Sequence, residues 1–204
     1  VTPLQMAGAS AVIASGGYRI EPWLIARIQD GDGRVVFDNV RPPPRQESAR
    51  VLDARNAFIT DSMLRDVARV GTAAAASRQL GRSDLAGKTG TTSNAIDGWF
   101  AGYSGPVGAV AWMGYDEPRS LGGREFGATL ALPIWVDYMR VALANAPERA
   151  PLVPDGVVNV AGDWVYSEYA DQQLEQQRQE SQPAEVDSID TLMDNLLQER
   201  PPRE

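Results

Sequence analysis

The chain has 204 residues, 43% hydrophobic and 23% charged, enough for one domain with a sizeable core or for a domain and a tail. It has no cysteine and no histidine, which excludes thiol nucleophiles, Ser-His-Asp triads and thiolate or imidazole metal sites. The net charge of -8 lies entirely in residues 161–204, where eleven Asp or Glu face three Arg; a neutral body with an acidic tail speaks against a nucleic-acid partner.

The first element reads as a helix. Thr2 is its N-cap, Pro3 fits the first helical position and Gln5 completes a capping box. Leu4, Met6, Ala9, Val12 and Ile13 supply apolar surface, and Gly16-Gly17 ends it. A hairpin follows: Leu24–Ile28 and Arg34–Phe37 flank the turn Asp30-Gly31-Asp32-Gly33. It is expected beside the Lys88 strand cluster or at the far edge of that sheet. Arg41-Pro42-Pro43-Pro44 is an extended loop. A second helix is expected from Asp53 to Val70, with Ile59, Met63, Val67 and Val70 on one side. Gly71 breaks it, and Ala73–Ala76 belong to a separate helix. Leu85–Thr92, Gly98–Tyr103 and Ala109–Gly114 form an antiparallel meander. Leu130–Leu143 is a strongly apolar helix whose start is expected near Pro133.

The domain body is placed at residues 1–146 and a Pro-rich linker with an acidic, largely disordered tail at 147–204. Within the tail, Asp171–Glu185 is Gln/Glu-rich. Ile189, Leu192, Met193, Leu196 and Leu197 form a short amphipathic helix at 189–197, docked on the body, docked on a partner or free. No apolar run is long enough to span a bilayer. The chain opens on Val1-Thr2-Pro3 with Met6 as its first methionine, and it is read as a piece of a longer protein.

Chemistry concentrates at Lys88-Thr89-Gly90-Thr91-Thr92. Lys88 is the only lysine among 19 basic residues. Strand alternation puts Lys88 and Gly90 on one face and Thr89 and Thr91 on the other. An edge strand of this kind offers backbone groups to an extended peptide, hydroxyls to a carboxylate and an ammonium to an anion. A strand glycine marks close backbone approach. A bare Gly-Lys-Thr-Gly is also an ordinary surface-loop sequence. The Walker A pattern fails here, because five residues separate Gly81 from Gly87 and a turn follows instead of a helix.

The run Gly81–Thr92 with Asp97–Ser104 resembles the third-motif region of class A penicillin-binding proteins, the bifunctional cell-wall synthases. Thr2–Ala7 and Gly16-Gly17-Tyr18 resemble the segment after their second motif. Ala109–Tyr115 and Leu132–Trp135 resemble their final strand and C-terminal helix. The resemblance covers roughly residues 1–145. It implies an α+β fold in which helices cover an antiparallel sheet, with only the C-terminal half of the transpeptidase domain present. It also implies D,D-transpeptidation through an acyl-serine. Carried over to this chain, Lys88 tunes the site and orients the second-motif serine. Thr89 and Thr91 hold the substrate carboxylate, Gly90 admits the substrate backbone and the Thr91 N–H is an oxyanion donor. Thr92 is counted with the substrate-binding residues. No metal and no cofactor is expected. The implied partners are peptidoglycan stem peptides, β-lactams, the missing N-terminal part of the same protein and further cell-wall synthesis proteins. The implied location is the periplasmic face of the bacterial inner membrane, reached through an anchor absent from this chain.

The chain departs from the family at the nucleophile. With Lys88 the only lysine, a Ser-x-x-Lys would need serine at position 85, where Leu85 stands, and no Ser-x-Asn occurs. The fragment alone is therefore expected to be inactive. The alternatives are a catalytically inactive binding or regulatory module acting through the acidic tail, and a fragment of a serine β-lactamase. Trp99, Trp112 and Trp135 are read as packing the sheet against helices. Asp97 serves a turn, and Asp116-Glu117 is a solvated turn rather than a catalytic carboxylate pair. Tyr115 and Arg124 are candidates for the mouth of the cleft.

Overall fold

The structure, a computed structural model, describes residues 1–39, 46–172, 174 and 175. The extended loop at Arg41–Pro44, the stripe at 189–197 and most of the Gln/Glu-rich stretch lie outside these residues. Two compact units are present, Val1–Asp155 and Gly156 onward.

In the first unit, helix α1 (Pro3–Ala14) begins on the expected capping box: the Thr2 hydroxyl accepts from the Gln5 N–H, and the Gln5 side chain accepts from the Thr2 N–H. None of its residues is fully buried, and it packs against the strands Gly98–Ser104 and Val107–Met113 of the main sheet. The hairpin β1 (Arg27–Gln29) and β2 (Val35–Asp38) forms at the expected turn, where Asp30 Oδ1 accepts the N–H groups of Asp32 and Arg34. It is a two-stranded sheet of its own rather than a neighbour of the Lys88 cluster or an added edge of that sheet. Leu24, Ile25, Val36 and Phe37 are all exposed on it.

Helix α2 (Ala54–Arg69) starts on Asp53, whose Oδ1 accepts from Arg55 and Asn56 N–H. Its inward face differs from the periodicity Ile59, Met63, Val67, Val70. Met63 is 60% and Val70 71% exposed, whereas Ala57, Phe58, Asp61 and Ala68 are buried. Asp61 tolerates burial because both its oxygens are bonded, to Tyr103 Oη at 2.8 Å and Arg65 Nε at 2.6 Å. A polar residue at the centre of a buried face hides that face from a hydrophobicity template. Helix α3 (Ala74–Leu80) follows.

The main sheet has the order β3 (Ala86–Thr91), β4 (Gly98–Ser104), β5 (Val107–Met113), antiparallel throughout. Helix α4 (Ala131–Ala142) covers one face. It starts two residues before Pro133, because a proline in the first turn lacks only an N–H that has no intrahelical partner. Trp135 of α4 sets its ring edge-on to Phe100 at 4.9 Å, and its indole N–H donates to Ala109 O. Ala68, Ala73, Ala76, Leu85, Ala111 and Met139 complete this core. Truncating either ring to alanine costs on the order of 3–5 kcal/mol.

The entry to β3 is clamped. Arg82 makes two parallel bonds to buried Asp84, at 2.9 and 2.8 Å, and also donates to Ser104 Oγ and Ala146 O. Arg149 N–H reaches Asp84 and Ser83 donates to Glu148, so residues 146–149 are tied back to the sheet. Burial opposes the ionised Asp84 carboxylate, but the bonds from Arg82, Ser104 and the Arg149 N–H outweigh it and hold its pKa below the ordinary value. In the second unit, strands β6 (Val157–Val160) and β7 (Asp163–Tyr166) form a hairpin in a stretch where the sequence reading names no element.

Two predictions follow from these buried groups. Asp84→Asn should lower the unfolding free energy in urea at pH 7 by about 2–3 kcal/mol, since it strands the Arg82 charge. Because the folded pKa is depressed, this contribution is present above about pH 4 and fades as pH falls below it, so the gap to the unsubstituted chain should narrow in acid. Tyr103 is the reverse case. Burial, followed by the neighbouring Asp61 charge, pushes its phenol well above the usual range. Tyr103→Phe should cost about 1–2 kcal/mol below pH 10, and the loss should shrink as pH rises past that value.

Candidate functional site

Strand β3 pairs with β4 on one side, and among the described residues no strand pairs with its other side. The register sets Lys88 opposite Ala101, Thr89 opposite Phe100, Gly90 opposite Trp99 and Thr91 opposite Gly98. Directly opposed residues share a face. Thr89 and Thr91 therefore lie on the face that α4 covers through Phe100, and Lys88 and Gly90 on the other. Lys88 and Thr91 are exposed, and Thr89 and Gly90 are half-buried.

Each side chain of the motif has a definite environment. Lys88 Nζ donates to Thr89 O at 3.1 Å. Thr89 Oγ1 lies 3.0 Å from Thr72 Oγ1, in the link between α2 and α3. Thr91 Oγ1 accepts from Gly127 N–H at 3.0 Å. Thr92 Oγ1 accepts from Asp97 N–H at 2.8 Å, closing the turn beyond the strand. Thr92 is thus engaged in turn formation, and its neighbours Asn94 and Ala95 adopt left-handed backbone angles of +62° and +51°. Each left-handed non-glycine residue costs roughly 1–2 kcal/mol. The bonds Thr92 N–H to Asp97 O, Ala95 N–H to Thr92 O and Leu121 N–H to Ala95 O hold the turn against that cost.

Thr72 and Gly127 escape a reading of the sequence because they stand 17 and 36 residues from their partners. Gly127 carried a signal in kind, a glycine just before an apolar helix, but no indication of what approaches it. A Cβ at Gly127 would overlap the carbonyl oxygens of Gly90 and Trp99. The loop before α4 therefore rests directly on the third residue of the motif.

The remaining candidates separate cleanly. Trp135 is core, as expected. Trp112 is 39% exposed; its indole N–H donates to Asp97 Oδ1 at 2.9 Å, and its ring is tilted against Trp99 at 6.0 Å. Asp97 serves its turn and this indole. Asp116 and Glu117 are exposed. Tyr115 is stacked under the Arg119 guanidinium at 3.8 Å. A cleft of ≈ 580 Å³ opens between the end of α1, the first half of α2 and Tyr103. Tyr103 pairs with Ala86, at the opposite end of β3 from Thr91. The Asp61 wall of this cleft is paired with Tyr103 and Arg65, and its Arg50 wall with Glu47, Tyr18 and Gly16 O. Among the described residues no cluster of acidic side chains is arranged to hold a metal ion.

Gly127→Ala should push the loop off β3. The expected loss is about 1–3 kcal/mol in denaturant unfolding, with faster amide exchange at Gly90 and Thr91 than at Phe100; unchanged exchange there would place the loop contact elsewhere.

Residues 1–128 match the family described as penicillin binding protein transpeptidase domain. The chain is 44% identical over 168 residues to penicillin-binding protein 1A of Neisseria lactamica, a match covering 82% of this chain and 21% of the relative. It superposes on the crystal structure of penicillin-binding protein 1A from Haemophilus influenzae with a TM-score of 0.70 and 32% identity, covering 78% of this chain and 29% of that one. It also superposes on PonA1 of Mycobacterium tuberculosis in complex with penicillin V, with a TM-score of 0.57 and 26% identity over 72% of this chain and 40% of that one. The chain thus spans about a fifth of the length of the curated relative. With its α+β fold and its Lys88 strand at the end of the sheet order, the chain belongs to the penicillin-binding protein transpeptidase domain family.

Proposed function

We propose that this chain supplies the substrate-holding and oxyanion strand of a peptidoglycan D,D-transpeptidase, and that the acylated serine lies in a longer protein containing it. The observation that carries this reading is the edge of β3 that no strand among the described residues pairs with, which presents Lys88, Thr89, Gly90 and Thr91 within the transpeptidase family match. An extended stem peptide, or a β-lactam, lies along that edge and hydrogen-bonds to its backbone. The Thr89 and Thr91 hydroxyls hold its carboxylate, and Gly90 leaves room for its backbone. The Lys88 ammonium raises the local positive potential and orients the serine of the second motif. The Thr91 N–H, with the N–H of the nucleophile, stabilises the oxyanion; one such donor contributes on the order of 3 kcal/mol to the transition state. Thr92 supports this strand from the turn beyond it.

The nucleophile must come from elsewhere, since Leu85 occupies the place a serine would need. The exposed apolar hairpin, the exposed Met63 of α2 and the exposed Val70 that follows it support a body completed by further protein. That longer protein acts at the periplasmic face of the inner membrane, anchored outside this chain. No helix among the described residues is long and apolar enough to cross a membrane. Its partners are stem peptides, β-lactams and other cell-wall synthesis proteins.

The test is covalent labelling by a fluorescent penicillin, read on a denaturing gel. The isolated chain should take up no label. The longer protein should be labelled, and Lys88→Ala in it should slow labelling by on the order of 100-fold or more. Stable labelling of the isolated chain would sink the missing-nucleophile reading.

A further inference from the structure

A carboxylate only accepts hydrogen bonds. A threonine that holds one must therefore donate, and its proton is directed outward most firmly when another donor already occupies its lone pairs. Thr91 meets this condition through the Gly127 N–H. Thr89 has its counterpart in Thr72, whose hydroxyl lies 3.0 Å away and has no other hydrogen bond among the described residues.

Thr72 is held firmly. On one side Gly71 presses so closely on the last turn of α2 that a Cβ would crowd the Val67 backbone. On the other side Ala73 is fully buried, and its N–H donates to Val67 O at 3.1 Å. The hydroxyl projects from a short, rigid link toward the edge strand, yet Thr72 itself is exposed. Burial therefore does not require its hydroxyl to find a partner, and a methyl in place of the oxygen would fit.

We propose that Thr72 is a positioning residue: its hydroxyl donates to Thr89 Oγ1 and turns the Thr89 proton toward the carboxylate of the acyl donor. The proposal rests on the reading of β3 as the carboxylate-holding strand. It makes a distinction that a packing role would not, because the effect must depend on the charge of the ligand.

The experiment compares Thr72→Val and Thr72→Ser in the longer protein, following the acylation rate constant with benzylpenicillin and with its methyl ester. With the free acid, Thr72→Val should slow acylation about tenfold, the size of one hydrogen bond to a charged group. With the ester it should change by less than about threefold, since a neutral acceptor gains less from an oriented donor. Thr72→Ser should restore the rate with the acid. Equal slowing with acid and ester, failure of serine to rescue, or no effect of valine would each overturn the proposal while leaving the reading of β3 in place. An unsubstituted protein that is not acylated at all would remove that reading and the proposal with it.

Discussion

A strand paired along one edge has only half of its ladder to hold it, and the geometry of this molecule follows from keeping β3 straight under that condition. Each end and the middle are pinned separately. The Arg82–Asp84 fork secures the entry and ties residues 146–149 to it. Gly127 rests on Gly90 and donates to Thr91 at the exit. Thr72 reaches Thr89 between them. Among the described residues these contacts leave the outer edge of β3 without a strand partner. Bare edges invite pairing with other chains. Here the exposed Lys88 places a charge on that edge, which disfavours pairing with an unselected chain.

The clamp is also where energy is concentrated. A charged fork removed from water gains stability only when nearly every polar atom is bonded. Asp84 receives Arg82 twice, Ser104 and the Arg149 N–H, and Arg82 also donates to Ser104 Oγ and Ala146 O. Asp61 is treated the same way by Tyr103 and Arg65. No side-chain polar atom buried among the described residues lacks a partner. The two acidic residues inside the body are therefore supports that join α2, and the chain after α4, to the sheet.

Much of this was legible in the sequence, unevenly and for physical reasons. The capping box at Thr2, the cap at Asp53 and the Asp30–Gly33 turn are local, and local signals survive folding intact. The meander followed from its turn signals, and the edge position of its first strand from the family resemblance. The inward face of α2 did not, because small alanines and a bonded aspartate line it while Met63 and Val70 point outward. Trp112 shared the pattern of core tryptophans, yet its polar edge is claimed by Asp97. The motif residues were visible as a contiguous word. Thr72 and Gly127 were not, since their partners arrive only through the packing of α2 and of the loop before α4.

The single lysine gains meaning from the arginines around it. Among the described residues, the ion pairs on the body all use arginine, whose planar fork suits a fixed carboxylate. Lys88 forms none of them and rests on the carbonyl of Thr89. An ammonium is a compact charge with three rotatable donors. It can leave a neutral carbonyl for a nearby hydroxyl or anion at little cost, whereas a guanidinium locked in a fork cannot.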